Sequence, residues 1–190
     1  LVLRPTLTQR LNQGGIIGYL IIILGIVSLI ITIQRFKFLS HTGKSIASRH
    51  SASRNSTDNP LKRLTAIANE NSEESTEILE FKLEEGLIFE QLSINRRISY
   101  IKFIAIISPL LALLGTVSGM IITFQSISLS GTSDPNLMAG GISQALITTV
   151  LGLCVAIPSL LFFTLLSEKA KDINERLEQF AFFLISESQN

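Results

Sequence analysis

Three long apolar runs without a single charged side chain constrain this sequence more than any other feature. They cover residues 14–34, 103–129 and 137–167. A bilayer has a hydrocarbon core ~30 Å thick, which an α-helix of ~20 residues can cross. Backbone groups in lipid must be satisfied internally, so each run is predicted to be a helix. With 46% hydrophobic residues in 190, too little polar chain remains to cover three such helices in water. The sequence therefore predicts an all-α membrane protein with three transmembrane helices.

The distribution of Lys and Arg predicts the orientation of these helices. The segment between the second and third runs, residues 130–136, contains neither. Basic residues follow the first run, precede the second and follow the third. Loops rich in Lys and Arg stay in the cytoplasm. We therefore expect residues 35–102 and 168–190 to be cytoplasmic, and residues 1–13 and 130–136 to lie outside.

Residues 35–102 are predicted to form a helical cytoplasmic domain. A polar connector ends at Asn59, where Pro60 suits the first turn of a helix. From Glu73 onward, apolar residues recur at helical spacing among many carboxylates, which is typical of an amphipathic helix. We expect this helix to continue unbroken into the second span, with Gly86 as its weakest point. The third span should likewise extend as a helix through residues 168–190.

Small and hydroxyl-bearing residues line one side of the second and third runs. In the third run, Gln144, Thr148, Gly152 and Ala156 recur at intervals of four, with Thr149 in the neighbouring row. In the second, the matching residues are Ala112, Gly115, Thr116, Gly119 and Thr123. Such a stripe either packs helices closely or lines a wet pathway. Periodicity alone leaves both interpretations open.

The three runs contain no acidic, basic or histidine side chain, which determines what a proton pathway would need from another protein. A proton or ion path normally contains an ionisable group near the middle of the bilayer. None of the three runs contains Asp, Glu, Lys, Arg or His. If this chain lines a path, the carboxylate must come from another protein.

Other classes of site find little support in the sequence. The formal net charge of +1 argues against nucleic acid as a partner. The single cysteine, Cys154, rules out a disulfide within the chain, and the two histidines have no metal-ligand pattern around them. The carboxylates between Glu70 and Glu90 are read as a solvated helix face. We therefore expect no catalytic residues, no metal and no cofactor, and we do not expect an enzyme.

Two motifs in the spans resemble a known family. Residues 113–120, LLGTVSGM, resemble the LLGTVxGM signature of the ExbB/TolQ/MotA family of ion-driven motor subunits. Residues 141–158, GISQALITTVLGLCVAIP, resemble its GIxEALxxTxxGLxxAIP motif. Both motifs occupy the expected spans in the expected order. Three spans with an outside N-terminus match the ExbB and TolQ branches, because MotA-like members have four.

The resemblance implies a function and a set of partners. Proteins that resemble ExbB form a pentamer in the bacterial inner membrane, with the second and third helices lining a central pore. A single-span partner, ExbD, brings one membrane aspartate, and proton flow energises TonB for uptake of iron–siderophores or haem. On this basis we expect a homo-pentamer with ExbD-like and TonB-like partners, a periplasmic N-terminus and a cytoplasmic C-terminus. A TolQ-like envelope motor and a non-conducting scaffold are the alternatives.

The resemblance also suggests roles for individual residues. By motif position, the pore threonines are Thr116 and Thr149. The polar stripe adds Gln144 and Thr148 to the predicted proton pathway, and close helix packing is assigned to Gly115, Gly119, Gly152, Ala156 and Pro158. The family motif usually has glutamate at the position of Gln144. An amide forms hydrogen bonds but does not change charge, so this member would conduct with the partner's aspartate alone.

Overall fold

The structure is a computed structural model that describes residues 13–47, 59–71, 75–130 and 135–188. In these ranges the chain forms five α-helices and no strand: α1 Gly15–Ala47, α2 Pro60–Glu70, α3 Thr76–Asn95, α4 Ile98–Ser130 and α5 Pro135–Ser188. Three stretches of helix are long and apolar enough to cross a membrane. The prediction of an all-α membrane protein with three spans is confirmed. Most of the two predicted outside segments and of the connector before Asn59 falls outside the described residues.

The described residues form two compact units. The first contains the chain up to Thr32 and residues 100–163, which includes most of the three spans. The second contains residues 33–99 and 164–190. The helices α1 and α5 each contribute residues to both units. The third span continues beyond its apolar run as predicted, within the single 54-residue helix α5.

Within the first unit, α5 packs against both α1 and α4. On the α1 side, a Cβ built on Gly25 would lie 2.7 Å from Cγ2 of Val155. On the α4 side, a Cβ built on Gly119 would lie 2.6 Å from the carbonyl oxygen of Gly141. Neither glycine has room for a side chain, so the backbones approach as small residues allow in membrane proteins. Large apolar side chains of all three helices point outward, which suits lipid or a second protein chain.

Within the second unit, α2 and α3 form an antiparallel pair. Asn59 caps α2, since its side-chain oxygen accepts a hydrogen bond of 3.0 Å from the amide of Leu61, and Pro60 occupies the first turn as predicted. The buried Glu90 of α3 accepts hydrogen bonds from Nε and Nη2 of Arg63 on α2. Gly86 lies at this contact, where a Cβ would be 2.5 Å from Cδ1 of Ile67.

The predicted continuous helix from residue 73 into the second span is wrong at one point. A turn at Arg96 and Arg97 separates α3 from α4, and Arg97 has a left-handed backbone with φ of 68°. The carbonyl oxygens of Ser93 and Ile94, at the end of α3, accept hydrogen bonds from Arg35 of α1. A cation suits the negative end of a helix. A residue distant in sequence thus binds the end of α3, which helical periodicity cannot reveal.

Candidate functional site

The contact between α4 and α5 pairs glycine on one helix with a threonine or another small residue on the other. A Cβ built on Gly115 would lie 2.5 Å from Oγ1 of Thr148 and 2.6 Å from its Cβ. Two turns towards the start of α5, a Cβ on Gly141 would collide with Oγ1 of Thr123. Towards its other end, a Cβ on Gly152 would lie 2.5 Å from Cβ of Ala112. The stripe seen in the sequence therefore forms the seam between these two helices.

The hydroxyls buried in this seam are satisfied by their own helices. Thr148 is fully buried, and its Oγ1 donates to the carbonyl oxygens of Gln144 and Ala145, each at 3.0 Å. Thr123 donates to the carbonyl oxygen of Gly119 at 3.0 Å. Such bonds let a hydroxyl sit in an apolar contact without a partner on the neighbouring helix. This geometry favours a packing role for Thr148 over its predicted place in the proton pathway.

Thr116 and Thr149 lie beside the seam, where part of each side chain stays uncovered. Both are half-buried. Oγ1 of Thr116 donates to the carbonyl oxygen of Leu113 at 2.7 Å, and Oγ1 of Thr149 donates to that of Ala145 at 3.1 Å. A hydroxyl that donates to its own helix still has lone pairs, and it can turn its proton towards another acceptor. These two threonines can therefore offer a hydrogen bond to a group outside the described chain.

Gln144 faces a different neighbour from Thr148, although the two share a helical row. A Cβ built on Gly15 of α1 would lie 3.1 Å from Nε2 of Gln144, and Gly15 has a φ of +60°. Next to it, Ser143 donates a hydrogen bond of 2.9 Å to Oε1 of Gln13. The structure thus places Gln144 at the contact between α1 and α5. Its side chain makes no hydrogen bond to Thr116 or Thr149 in the described chain, and its assignment to the pathway stays a prediction.

The remaining predicted packing residues lie further along α5. Ala156 is buried. Pro158 lies inside α5 and is exposed, on the edge of an apolar cavity of about 320 Å³ between α1 and α5. That cavity also borders Ser28 and Thr32 of α1.

A polar pair between α1 and α5 was missed by the sequence reasoning. Oγ of Ser28 and Oγ of Ser159 are 2.8 Å apart and buried. Oγ1 of Thr32, one turn further along α1, is buried without a hydrogen-bond partner. Isolated hydroxyl residues recur along these apolar runs, so only the pairing of the two helices could single these out.

The chemistry available at the spans is limited to hydrogen bonding. Hydroxyl and amide groups orient water and bind a carboxylate, but they do not change charge near neutral pH. A titratable group near mid-membrane must therefore be supplied by another chain if protons cross here.

The comparisons with known proteins agree with this arrangement. The model of the MotA/TolQ/ExbB proton channel family matches residues 49–179, which include the α4–α5 seam and both motifs. The chain belongs to this family. It is thus a multi-pass membrane protein of a proton channel family. Relatives named ExbB and TolQ align with it.

Individual relatives differ in how much they share with the chain. It is 26% identical over 189 residues to a putative biopolymer transport protein ExbB homolog of Methanothermobacter thermautotrophicus, covering 91% of this chain and 67% of the relative. It is 34% identical over 85 residues to the biopolymer transport protein ExbB of Helicobacter pylori, covering 45% and 59%. With the Tol-Pal system protein TolQ of Haemophilus influenzae it shares 32% over 83 residues, covering 44% and 36%.

Proposed function

We propose that this protein is a wall subunit of a proton channel in the bacterial inner membrane, with no enzymatic activity of its own. An ExbD-like single-span partner supplies the membrane aspartate, and the proton motive force acts through that partner on a TonB-like protein. The consequence is energised uptake through the outer membrane, of iron–siderophores or haem. The N-terminus is periplasmic and the C-terminus cytoplasmic, as the Lys and Arg distribution favours.

One observation carries this proposal: hydroxyls beside the α4–α5 seam are left partly uncovered, in spans that contain no charge. Thr116 and Thr149 are half-buried, and their hydroxyls donate only to carbonyl oxygens of their own helices. Polar groups at membrane depth normally face protein or water rather than lipid. A carboxylate on a partner helix beside these threonines would be hydrogen-bonded in its charged form. In that arrangement this chain provides the hydroxyls of the proton site and the partner chain provides its carboxylate.

The exposed apolar faces support assembly of several copies. Leu113, Leu114 and Val117 of α4 are all more than half exposed, and so is Leu146 of α5. In a homo-oligomer, part of these faces would meet the neighbouring copy and part would meet lipid. We propose the pentamer implied by the resemblance, with α4 and α5 nearest the central axis.

The identity of the driven partner is the finer part of the proposal. Relatives named ExbB and one named TolQ both align with this chain, so the motifs are shared by the two systems. We favour the TonB role because the alignment with the putative ExbB homolog covers 91% of this chain, whereas the alignment with the TolQ protein covers 44%. Complementation separates the two: restored iron uptake in a strain lacking its own ExbB supports the TonB role. Restored envelope integrity in a strain lacking TolQ, without iron uptake, supports the Tol role.

Proton flux in liposomes tests the central claim. Vesicles would contain this protein alone, this protein with its co-purified single-span partner, or the same complex with the partner's membrane aspartate changed to asparagine. A pH-sensitive dye inside the vesicles reports flux under an imposed membrane potential. We expect flux only with both chains and an intact aspartate.

Two other outcomes would contradict the proposal. Flux from this protein alone would show that the chain does not need a borrowed carboxylate. Absence of flux in a correctly assembled complex, also when a TonB-like protein is added, would favour a non-conducting scaffold. Gln144 gives that alternative its weight, because an amide stands where the family motif usually has a carboxylate.

A further inference from the structure

Three arginines come together where α3 ends and α4 begins. Arg96 and Arg97 form the turn between these helices, and Arg35 of α1 contacts the last turn of α3. Their positive charges are close enough for Arg96 and Arg97 to act on the Arg35 guanidinium. We call these residues the arginine corner. Like charges so close repel one another unless an anion lies among them.

Arg35 is the buried member of the arginine corner. Only 8% of its surface is exposed, and its Nη2 donates to the carbonyl oxygens of Ser93 and Ile94 at 2.9 and 2.6 Å. Its Nε is buried without a hydrogen-bond partner. Carbonyl oxygens carry only a partial negative charge, so the full charge of the guanidinium is not neutralised by them. A buried cation without a counter-ion is costly.

Arg96 and Arg97 are the accessible members. Both are exposed, and within the described ranges neither forms an ion pair with a carboxylate. Along the chain, the carboxylate that precedes them is Glu90, which Arg63 already occupies. They also stand just before the first turn of α4, where free backbone N–H groups add positive potential. The corner is therefore an anion-attracting surface that the described chain leaves unsatisfied.

The position of the corner restricts the kind of anion. Arg35 directly follows the apolar run 14–34, and Arg96 and Arg97 directly precede α4, which has no carboxylate over its length. On the neighbouring helices, Nζ of Lys169 lies 4.8 Å from the ring centroid of Phe36, and Arg35 stacks 4.9 Å from that of Phe38. Basic and aromatic residues together at the end of an apolar helix are typical of a membrane interface. The anions abundant at that depth are phospholipid headgroups.

We propose that the arginine corner binds the headgroup phosphate of an anionic phospholipid. The exposed Arg96 and Arg97 make the contacts, and the buried Arg35 adds positive charge to the site. Clusters of basic residues next to a transmembrane helix recognise anionic lipids in this way. The negative charge of the lipid would reduce the repulsion among the three arginines and hold the α3–α4 turn against the bilayer surface. The inference uses the proposed orientation only to assign the leaflet, which would be the cytoplasmic one.

The test measures lipid binding to the assembled protein in detergent by native mass spectrometry. Phosphatidylglycerol is compared with phosphatidylethanolamine, which has no net charge, and soluble glycerol 3-phosphate serves as a free anion. The variant is Arg96→Gln with Arg97→Asn, because Asn tolerates the left-handed backbone at residue 97 better than most residues. The matched control is Lys171→Gln with Arg176→Gln, which also removes two positive charges, from exposed pairs on α5.

We expect the intact protein to bind phosphatidylglycerol more tightly than phosphatidylethanolamine. The corner variant should lose on the order of thirtyfold in affinity, since each basic residue at a membrane surface contributes about fivefold. The control variant should keep its affinity. Helical circular dichroism and the thermal midpoint show whether each variant is folded.

Several results would overturn the inference. Equal binding of the two lipids to the intact protein is decisive without any variant. Equal loss in the corner and control variants would indicate general electrostatic attraction with no site. Full displacement of the lipid by millimolar glycerol 3-phosphate would indicate a site for a soluble anion. None of these readouts depends on proton flux, so failure here and failure of the proposed function are separate.

Discussion

Thr148 occupies the space that a side chain on Gly115 would need. Three atoms of Thr148 lie within 2.8 Å of a Cβ built at that glycine, and Thr148 is completely buried. The two residues belong to different motifs, one on α4 and one on α5. In this contact the glycine of one motif leaves room for the β-branched threonine of the other, so the two backbones can approach closely.

Substitution of Gly115 should therefore disrupt the contact between α4 and α5. We expect Gly115→Ala to cost about 1–3 kcal/mol by overpacking, and Gly115→Leu to prevent assembly of the oligomer. The matched control is Gly140→Ala, since a Cβ on Gly140 meets nothing within 4 Å. Thermal midpoints in detergent and the oligomer mass measure both effects. An intact, equally stable oligomer with Gly115→Leu would contradict the packing role.

Valine variants of Thr149 and Thr148 should distinguish a residue of the proton pathway from a residue that only packs the helices. Valine replaces threonine at nearly constant volume and removes the hydroxyl. We expect Thr149→Val to assemble normally and to lose tenfold or more in flux, because a hydrogen bond to a charged group is worth about 1.5–3 kcal/mol. Thr148→Val should leave flux unchanged, because its hydroxyl is completely buried in the seam and cannot reach a partner chain. Normal flux and iron uptake with Thr149→Val would remove Thr149 from the mechanism.

The buried pair Ser28 and Ser159 should couple α1 to α5 weakly. Single and double alanine variants form a thermodynamic cycle, in which we expect a coupling free energy of about 0.6 kcal/mol, the average for such bonds in a membrane protein. Ser126 on α4 bonds to the carbonyl oxygen of Ile122 on its own helix. A second cycle that pairs Ser126→Ala with Ser159→Ala should therefore show no coupling. The same value in both cycles would argue against a specific hydrogen bond.

Loss of Arg35 should loosen the end of α3. Arg35→Gln removes the charged donor that binds the carbonyl oxygens of Ser93 and Ile94. We expect a loss of about 1.5–3 kcal/mol at this helix end, seen as faster hydrogen–deuterium exchange at residues 93–99. Arg35→Lys keeps the charge but loses the planar donor group, so its exchange should be intermediate. Unchanged exchange in both variants would show that α3 ends without help from Arg35.

The sequence alone was sufficient for the spans and for the family. Apolar runs of sufficient length, free of charge, allow one outcome in a bilayer, because the backbone must satisfy itself in a helix. The predicted start of a helix at Pro60 is also confirmed. Such features depend on residues close together in the chain, and local physical rules decide them.

Only the tertiary structure decided which neighbour covers each residue. Gln144 and Thr148 share a helical row, yet one lies against Gly15 of α1 and the other against Gly115 of α4. The break at Arg96 and Arg97 occurs where Arg35 binds the end of α3, some 60 residues away in sequence. Periodicity determines which side chains share a face of a helix. It contains no information on which other helix meets that face, because that choice depends on how the surfaces of all the helices fit together.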